Sequence, residues 1–118
     1  MTNWLGGLDP RWEGASIGKE HWHFHRRLWD RYSIILAPGE FTMILTAIRT
    51  GEALLVERRG RGTAVYSFRV PSCGERVYVV AAGHALVTVL PPRPRLNELR
   101  RRARRVPASE RSRLTDRN

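Results

Sequence analysis

The chain has 118 residues, 42% of them hydrophobic, which is enough for one domain with one core and too few for two. Its 21 basic residues against 11 acidic ones give a formal net charge of +10, the signature of a protein that meets polyanions such as nucleic acid or an anionic surface. The single cysteine, Cys73, excludes an internal disulfide and a cysteine metal site, and apolar runs such as 34–37 and 77–82 are far too short to cross a bilayer.

Residues 1–18 place Trp4, Leu5, Leu8 and Trp12 among Gly, Pro and Asn without a sustained period, and read as an irregular arm pinned by its tryptophans. A first helix is expected from Lys19 to Ile35. It carries the run HWHFHRRLWDR over 21–31, which combines a proton carrier, phosphate-binding cations and aromatic surface. On a helical wheel Phe24, Leu28, Trp29, Tyr32 and Ile35 form one apolar arc, with His23, Arg27 and Asp30 opposite. His23, Arg27 and Arg31 then make a polar stripe at i, i+4 spacing, facing water or a cleft. His25 flanks the apolar arc and reads as a packed histidine, while His21 sits at the fraying end. The His21-x-His23-x-His25 spacing does not make a metal site on a helix, because residues i and i+2 point about 200° apart, so neither a metal nor another cofactor is expected.

After the Ala37-Pro38-Gly39 break, a second helix is expected over Glu40–Thr50. Phe41, Ile44, Leu45 and Ile48 supply its apolar face and Gly51 its C-terminal cap. Beyond Gly51 the period changes to two. Strands are expected at 53–57, 63–70, 76–82 and 85–90, with Ala64, Tyr66, Phe68 and Val70 on one face, and the last two strands joined through Gly83-His84. Pro91-Pro92 ends the sheet. The expected fold class is α+β: two N-terminal helices packed on a four-stranded antiparallel β-meander, with the other sheet face open to a ligand. Residues 19–92 would be that domain. Residues 93–118 would be a basic C-terminal segment, helical along Leu96, Leu99, Ala103 and Val106 and a polar, disordered tail from Ala108.

That last segment holds ten arginines against Glu98, Glu110 and Asp116, so seven of the ten net charges lie there. Arg100, Arg101, Arg102, Arg104 and Arg105 repel one another unless an anion is present, and Arg58, Arg59 and Arg61 crowd a Gly-rich turn; both groups are candidate RNA-backbone contacts.

The His-x3-Arg-x3-Arg helix, a second helix ending in IRTGEA, an Arg-Gly turn and the hairpin ERVYVVAAGHALVTVLPP together resemble the small ribonuclease toxin domains of the barnase, EndoU, colicin and RelE-like group. The likeness covers residues 19–92 and leaves the arm and the basic tail outside it. It implies a bacterial or phage-associated toxin module that cleaves RNA without a metal by attack of the 2′-hydroxyl on the phosphodiester. The N-terminus has no basic region followed by an apolar run, so a cytoplasmic protein without an export signal is expected. The implied catalytic positions are His23, Arg27 and Arg31 on the helix and Thr88 on the last strand. The implied partners are tRNA, rRNA or mRNA and an antitoxin or immunity protein, with the chain a monomer or small homo-oligomer and no membrane involved.

The chemistry of such cleavage asks for a base at the 2′-hydroxyl, cations on the crowded phosphorane and an acid at the departing 5′-oxygen. His23 supplies the first or last role, Arg27 and Arg31 the second and Thr88 a hydrogen bond to the phosphate; His84, Glu57 and Tyr78 compete as the second proton carrier. A different class of function also fits the charge, a non-catalytic nucleic-acid-binding protein such as a virion or ribosome-associated factor. A third is a protein-interaction module anchored by Trp4 and Trp12.

Overall fold

A computed structural model describes residues 10–12, 14, 17–83 and 85–105. Its elements are helix α1 (Trp22–Tyr32), helix α2 (Glu40–Thr50), strands β1 (Leu54–Arg59), β2 (Thr63–Arg69), β3 (Arg76–Ala82) and β4 (Ala85–Leu90), and helix α3 (Pro94–Arg105). The four strands form one antiparallel sheet in the order β1-β2-β3-β4. The α+β class and the helix-then-sheet order are therefore as the sequence pattern implies.

Local chemistry sets the element ends. The first helix is shorter than its apolar arc suggests, because Lys19–His21 is a single 3-10 turn and Ser33 enters the left-handed region at φ 56°. Ser33 donates its backbone N–H to the Trp29 carbonyl and ends α1, so Ile35 lies beyond the helix. Gly51, at φ 85°, ends α2 where an L side chain would be strained. Gly83, at φ 60°, opens the β3–β4 turn, as the tight hairpin requires; its neighbour His84 lies outside the described residues.

The main core lies between the helices and one face of the sheet. Phe24 and Leu28 of α1 and Ile44 of α2 pack with Val77 and Val79 of β3, Val89 of β4, and Ile34, Leu36 and Val70 from the connections. Tyr66 and Phe68 of β2 border the same cluster, as their alternation implies. A third, small cluster joins Trp12 and Ile17 of the arm to Trp22 and Ile35. The Trp12 indole donates to the Leu36 carbonyl at 2.6 Å and the Trp22 indole to the Ile17 carbonyl at 3.2 Å, so tryptophan does pin the arm. Trp4 lies outside the described residues.

The second sheet face is not open. Val56, Val65, Tyr78 and Val80 form a further buried cluster there, closed by Leu96 and bordered by Leu99 of α3. The basic C-terminal helix folds back over the sheet because Leu96 and Leu99 lie on one side of it and need an apolar partner, which the uncovered face supplies. Tyr78 fastens it: its hydroxyl donates to Asn97 Oδ1 at 2.5 Å and accepts from Arg100 Nε at 3.2 Å. Near the other end, Arg95 pairs with Glu57 of β1 at 2.7 Å.

A bulge in β4 changes which face its residues meet. Val80 is opposite Thr88 but Ala81 is opposite Leu86, so Val87 is the extra residue and stands 45% exposed. Strict alternation puts Leu86, Thr88 and Leu90 on one side. With the bulge, Leu86 borders the α1 cluster whereas Leu90 borders the α3 cluster.

Candidate functional site

The first helix brings its expected stripe to different environments. His23 and Arg27 are exposed on α1, as the wheel implies. Arg31 is half-buried and donates to the Val89 carbonyl of β4. Beside it the Tyr32 hydroxyl donates to the Leu90 carbonyl and accepts from the Tyr78 N–H at 3.2 Å, bridging β3 and β4 at a point where the two residues are register partners. The side to which backbone groups point alternates along a strand. With the Leu90 carbonyl turned to β3, the Val89 carbonyl turns to the free edge of the sheet, and Arg31 covers it there.

Thr88 is on the other side of the sheet. Its register partner Val80 belongs to the α3-facing cluster, and Val89, one residue on, belongs to the α1-facing one. The sheet therefore separates Thr88 from the α1 face that carries His23 and Arg27. Among the described residues its hydroxyl makes only a long 3.5 Å contact, to the Val89 carbonyl.

The remaining histidines of the run are aromatic neighbours of Phe41. His21 stacks on that ring at 4.1 Å between centroids, a contact the frayed-end reading missed, and His25 stacks at 5.7 Å. His25 is buried, also edge-on to Trp12 and Phe24, and burial followed by the charge of His21 lowers its pKa to about 4. At neutral pH it is an uncharged packing residue. Among the described residues no cluster of three metal-ligating side chains occurs.

Two of the candidate second proton carriers, Glu57 and Tyr78, are also engaged, and His84 lies outside the described residues. Hydrogen bonding from Arg95 holds the Glu57 carboxyl below its usual range, with Arg59 adding to it. Tyr78 is buried between Asn97 and Arg100.

The basic residues form a different kind of surface. Since Leu96 and Leu99 face the sheet, Arg101, Arg102, Arg104 and Arg105 are exposed, and only Arg100 turns inward toward Tyr78. Arg101 and Arg102 share Glu98 at 3.5 and 3.2 Å, exposed pairs that water and salt weaken. At the other end of α3, near the Arg95–Glu57 pair, the β1–β2 turn projects Arg58, Arg59 and Arg61, all exposed. Arg61 holds φ 66°, unusual for its side-chain type, followed by Gly62 at 72°, so the hairpin tip aims the arginine outward.

Comparison with protein-family models, with curated proteins and with solved structures found no match for this chain. No helix of the described residues is long and apolar enough to cross a membrane.

Proposed function

We propose that this protein binds nucleic acid, RNA in the first place, by gripping its phosphate backbone with the arginines of α3 and of the β1–β2 turn. The observation that carries the proposal is the docking of α3. Leu96, Asn97 and Leu99 hold one side of the helix on the sheet, so its exposed arginines sit on an element docked against the fold. Pre-ordered cations lose little entropy on meeting phosphate, and guanidinium groups suit bidentate phosphate contacts.

Binding is favoured over cleavage by the placement of the expected catalytic set. The cleavage that the resemblance implies would gather His23, Arg27, Arg31 and Thr88 around one phosphate. Arg31 is engaged with Val89, and Thr88 lies across the sheet from the exposed His23 and Arg27.

Fluorescence anisotropy with a labelled single-stranded RNA tests the reading. Affinity should fall steeply between about 50 and 200 mM salt, with a slope near −0.7 for each phosphate neutralised. Replacing Arg101, Arg102 and Arg105 together by Gln should lower that slope by about 2. Absence of binding at low salt would overturn the proposal. Cleavage of the RNA in EDTA to a 2′,3′-cyclic phosphate would replace it with the ribonuclease reading.

A further inference from the structure

Arg69 of β2 and Arg76 of β3 are direct register partners. Theirs is the last rung of the β2–β3 ladder, and the two rungs before it fix the face they occupy. Phe68 and Val77 meet the α1 and α2 core, so Arg69 and Arg76 turn to the α3 side with Ser67 and Tyr78. Like charges directly opposite each other on neighbouring strands oppose folding. A third arginine joins them, since Arg104 in the last turn of α3 lines the same groove, a space of about 550 Å³ that Ser67, Phe68 and Glu52 also border.

Nothing described neutralises this group. Arg76 donates to the buried Ser67 hydroxyl, Arg69 to the Gly74 carbonyl at 2.5 Å, and Arg100, one turn before Arg104, to the Tyr78 hydroxyl. Burial first, then the charges of Arg100, Arg69 and Arg104, push the Arg76 pKa down, so the positive charge of this group converges on Arg76. Glu52 is exposed at the rim, and no ion pair among the described residues ties it to them. Residues 106–118 hold three arginines against two acidic residues, which adds to the positive charge.

We propose that Arg69, Arg76 and Arg104 form a cradle for one phosphate group of the bound nucleic acid, with Arg100 of the same helix adding positive charge. The proposal rests on the nucleic-acid reading for the identity of the ligand. A phosphate in the groove presents several acceptor oxygens to three guanidinium forks and offsets the repulsion between them. The cradle lies near the C-terminal end of α3, and the β1–β2 turn near its start, so a strand bound at both would run along the helix.

Thermal unfolding in inorganic phosphate, compared with chloride at equal ionic strength, tests the cradle directly. The full chain should gain about 2–5 °C in Tm at saturating phosphate. Arg76→Gln and Arg104→Gln should lose that gain, while Arg49→Gln, an equal change of charge on exposed α2 surface, should keep it. Arg104 is exposed, so its variant folds even if the Arg76 variant does not. A phosphate gain undiminished in Arg104→Gln, or no gain in the unaltered chain, overturns the cradle. RNA affinity separates the two proposals. Salt-dependent RNA binding that Arg104→Gln leaves unchanged defeats the cradle and keeps the nucleic-acid reading. A phosphate gain lost in Arg104→Gln, together with no RNA binding, supports the anion site and defeats that reading.

Discussion

The Arg31 guanidinium hydrogen-bonds the backbone carbonyl of Val89, 58 residues along the chain, and ties the end of α1 to the outer edge of β4. An arginine that the helical stripe offers as a phosphate clamp is thereby part of the fold. Arg31→Ala should destabilise the protein by about 1–2 kcal/mol, since a charged hydrogen bond to a part-buried carbonyl is lost. Arg27→Ala, on the exposed side of the same helix, should stay within about 0.5 kcal/mol of the unaltered chain. Urea denaturation of the two variants checks the contrast.

The Tyr32 hydroxyl serves the β3 and β4 backbones together, and burial raises its pKa above the usual tyrosine value. Tyr32→Phe keeps the ring and removes the bridge, leaving the Tyr78 N–H and the Leu90 carbonyl without it. A loss of about 1–3 kcal/mol is expected. Amide hydrogen exchange should also show Tyr78 less protected than its neighbour Val79, which faces the core.

His25 makes stability depend on acidity. Its pKa is about 4 in the folded chain and about 6.5 when unfolded, so below pH 6.5 the unfolded state takes up a proton that the folded state refuses. Its contribution is therefore whole above pH 6.5, falls as pH drops toward 4, and amounts to about 3 kcal/mol across that window. His25→Leu should flatten this part of the curve. Denaturant midpoints at a series of pH values measure it, and a parallel fall in both proteins would contradict the assignment.

Glu40 is the first residue of α2 and is buried, yet every hydrogen-bond partner of its carboxylate among the described residues is a donor. The Ala37 N–H reaches Oε1 at 2.6 Å, the Ser72 hydroxyl Oε1 at 2.7 Å and the Ser72 N–H Oε2 at 2.8 Å. The positive end of the helix dipole favours the charge there. Glu40→Gln must turn an NH₂ group toward at least one of those donors, and should cost about 1–3 kcal/mol. The loss is read from chemical denaturation, with Glu20→Gln on the exposed surface as the control.

Arg61 takes a left-handed backbone conformation at a turn where Asn or Gly would be unstrained. Arg61→Asn should therefore stabilise the hairpin by about 0.5–1 kcal/mol and weaken RNA binding at low salt. A variant both more stable and equally tight for RNA would remove Arg61 from the binding surface.

Much of the fold is legible locally. Phe41, Ile44 and Ile48 with the cap at Gly51 define α2 from Glu40 to Thr50, and the turns at Gly62 and Gly83 separate strands whose alternation is plain. Two features escaped this reading for the same reason. The extra residue Val87 is visible only when β4 is set against β3, and it sends Leu86 and Leu90 to opposite faces. The uncovered sheet face was expected to be free for a ligand, because the spacing of Leu96 and Leu99 signals a helix with an apolar side and does not say what that side meets.

The candidate site was less legible, and Arg76 shows why. In sequence it is an ordinary strand residue beside Val77, with no basic neighbour nearer than Arg69. Its company in the fold comes from pairing with β2 and from the helix that crosses the sheet. Side-chain periodicity, glycine and proline act within a few residues, so the amino-acid sequence by itself determines the helices, the strands, the turns and the surplus of positive charge. Which arginines that surplus leaves available is decided by partners tens of residues away. The tertiary structure commits Arg31 to a backbone carbonyl and gathers Arg69, Arg76 and Arg104 into one groove, because hydrogen bonding and charge repulsion depend on distance in space and not along the chain.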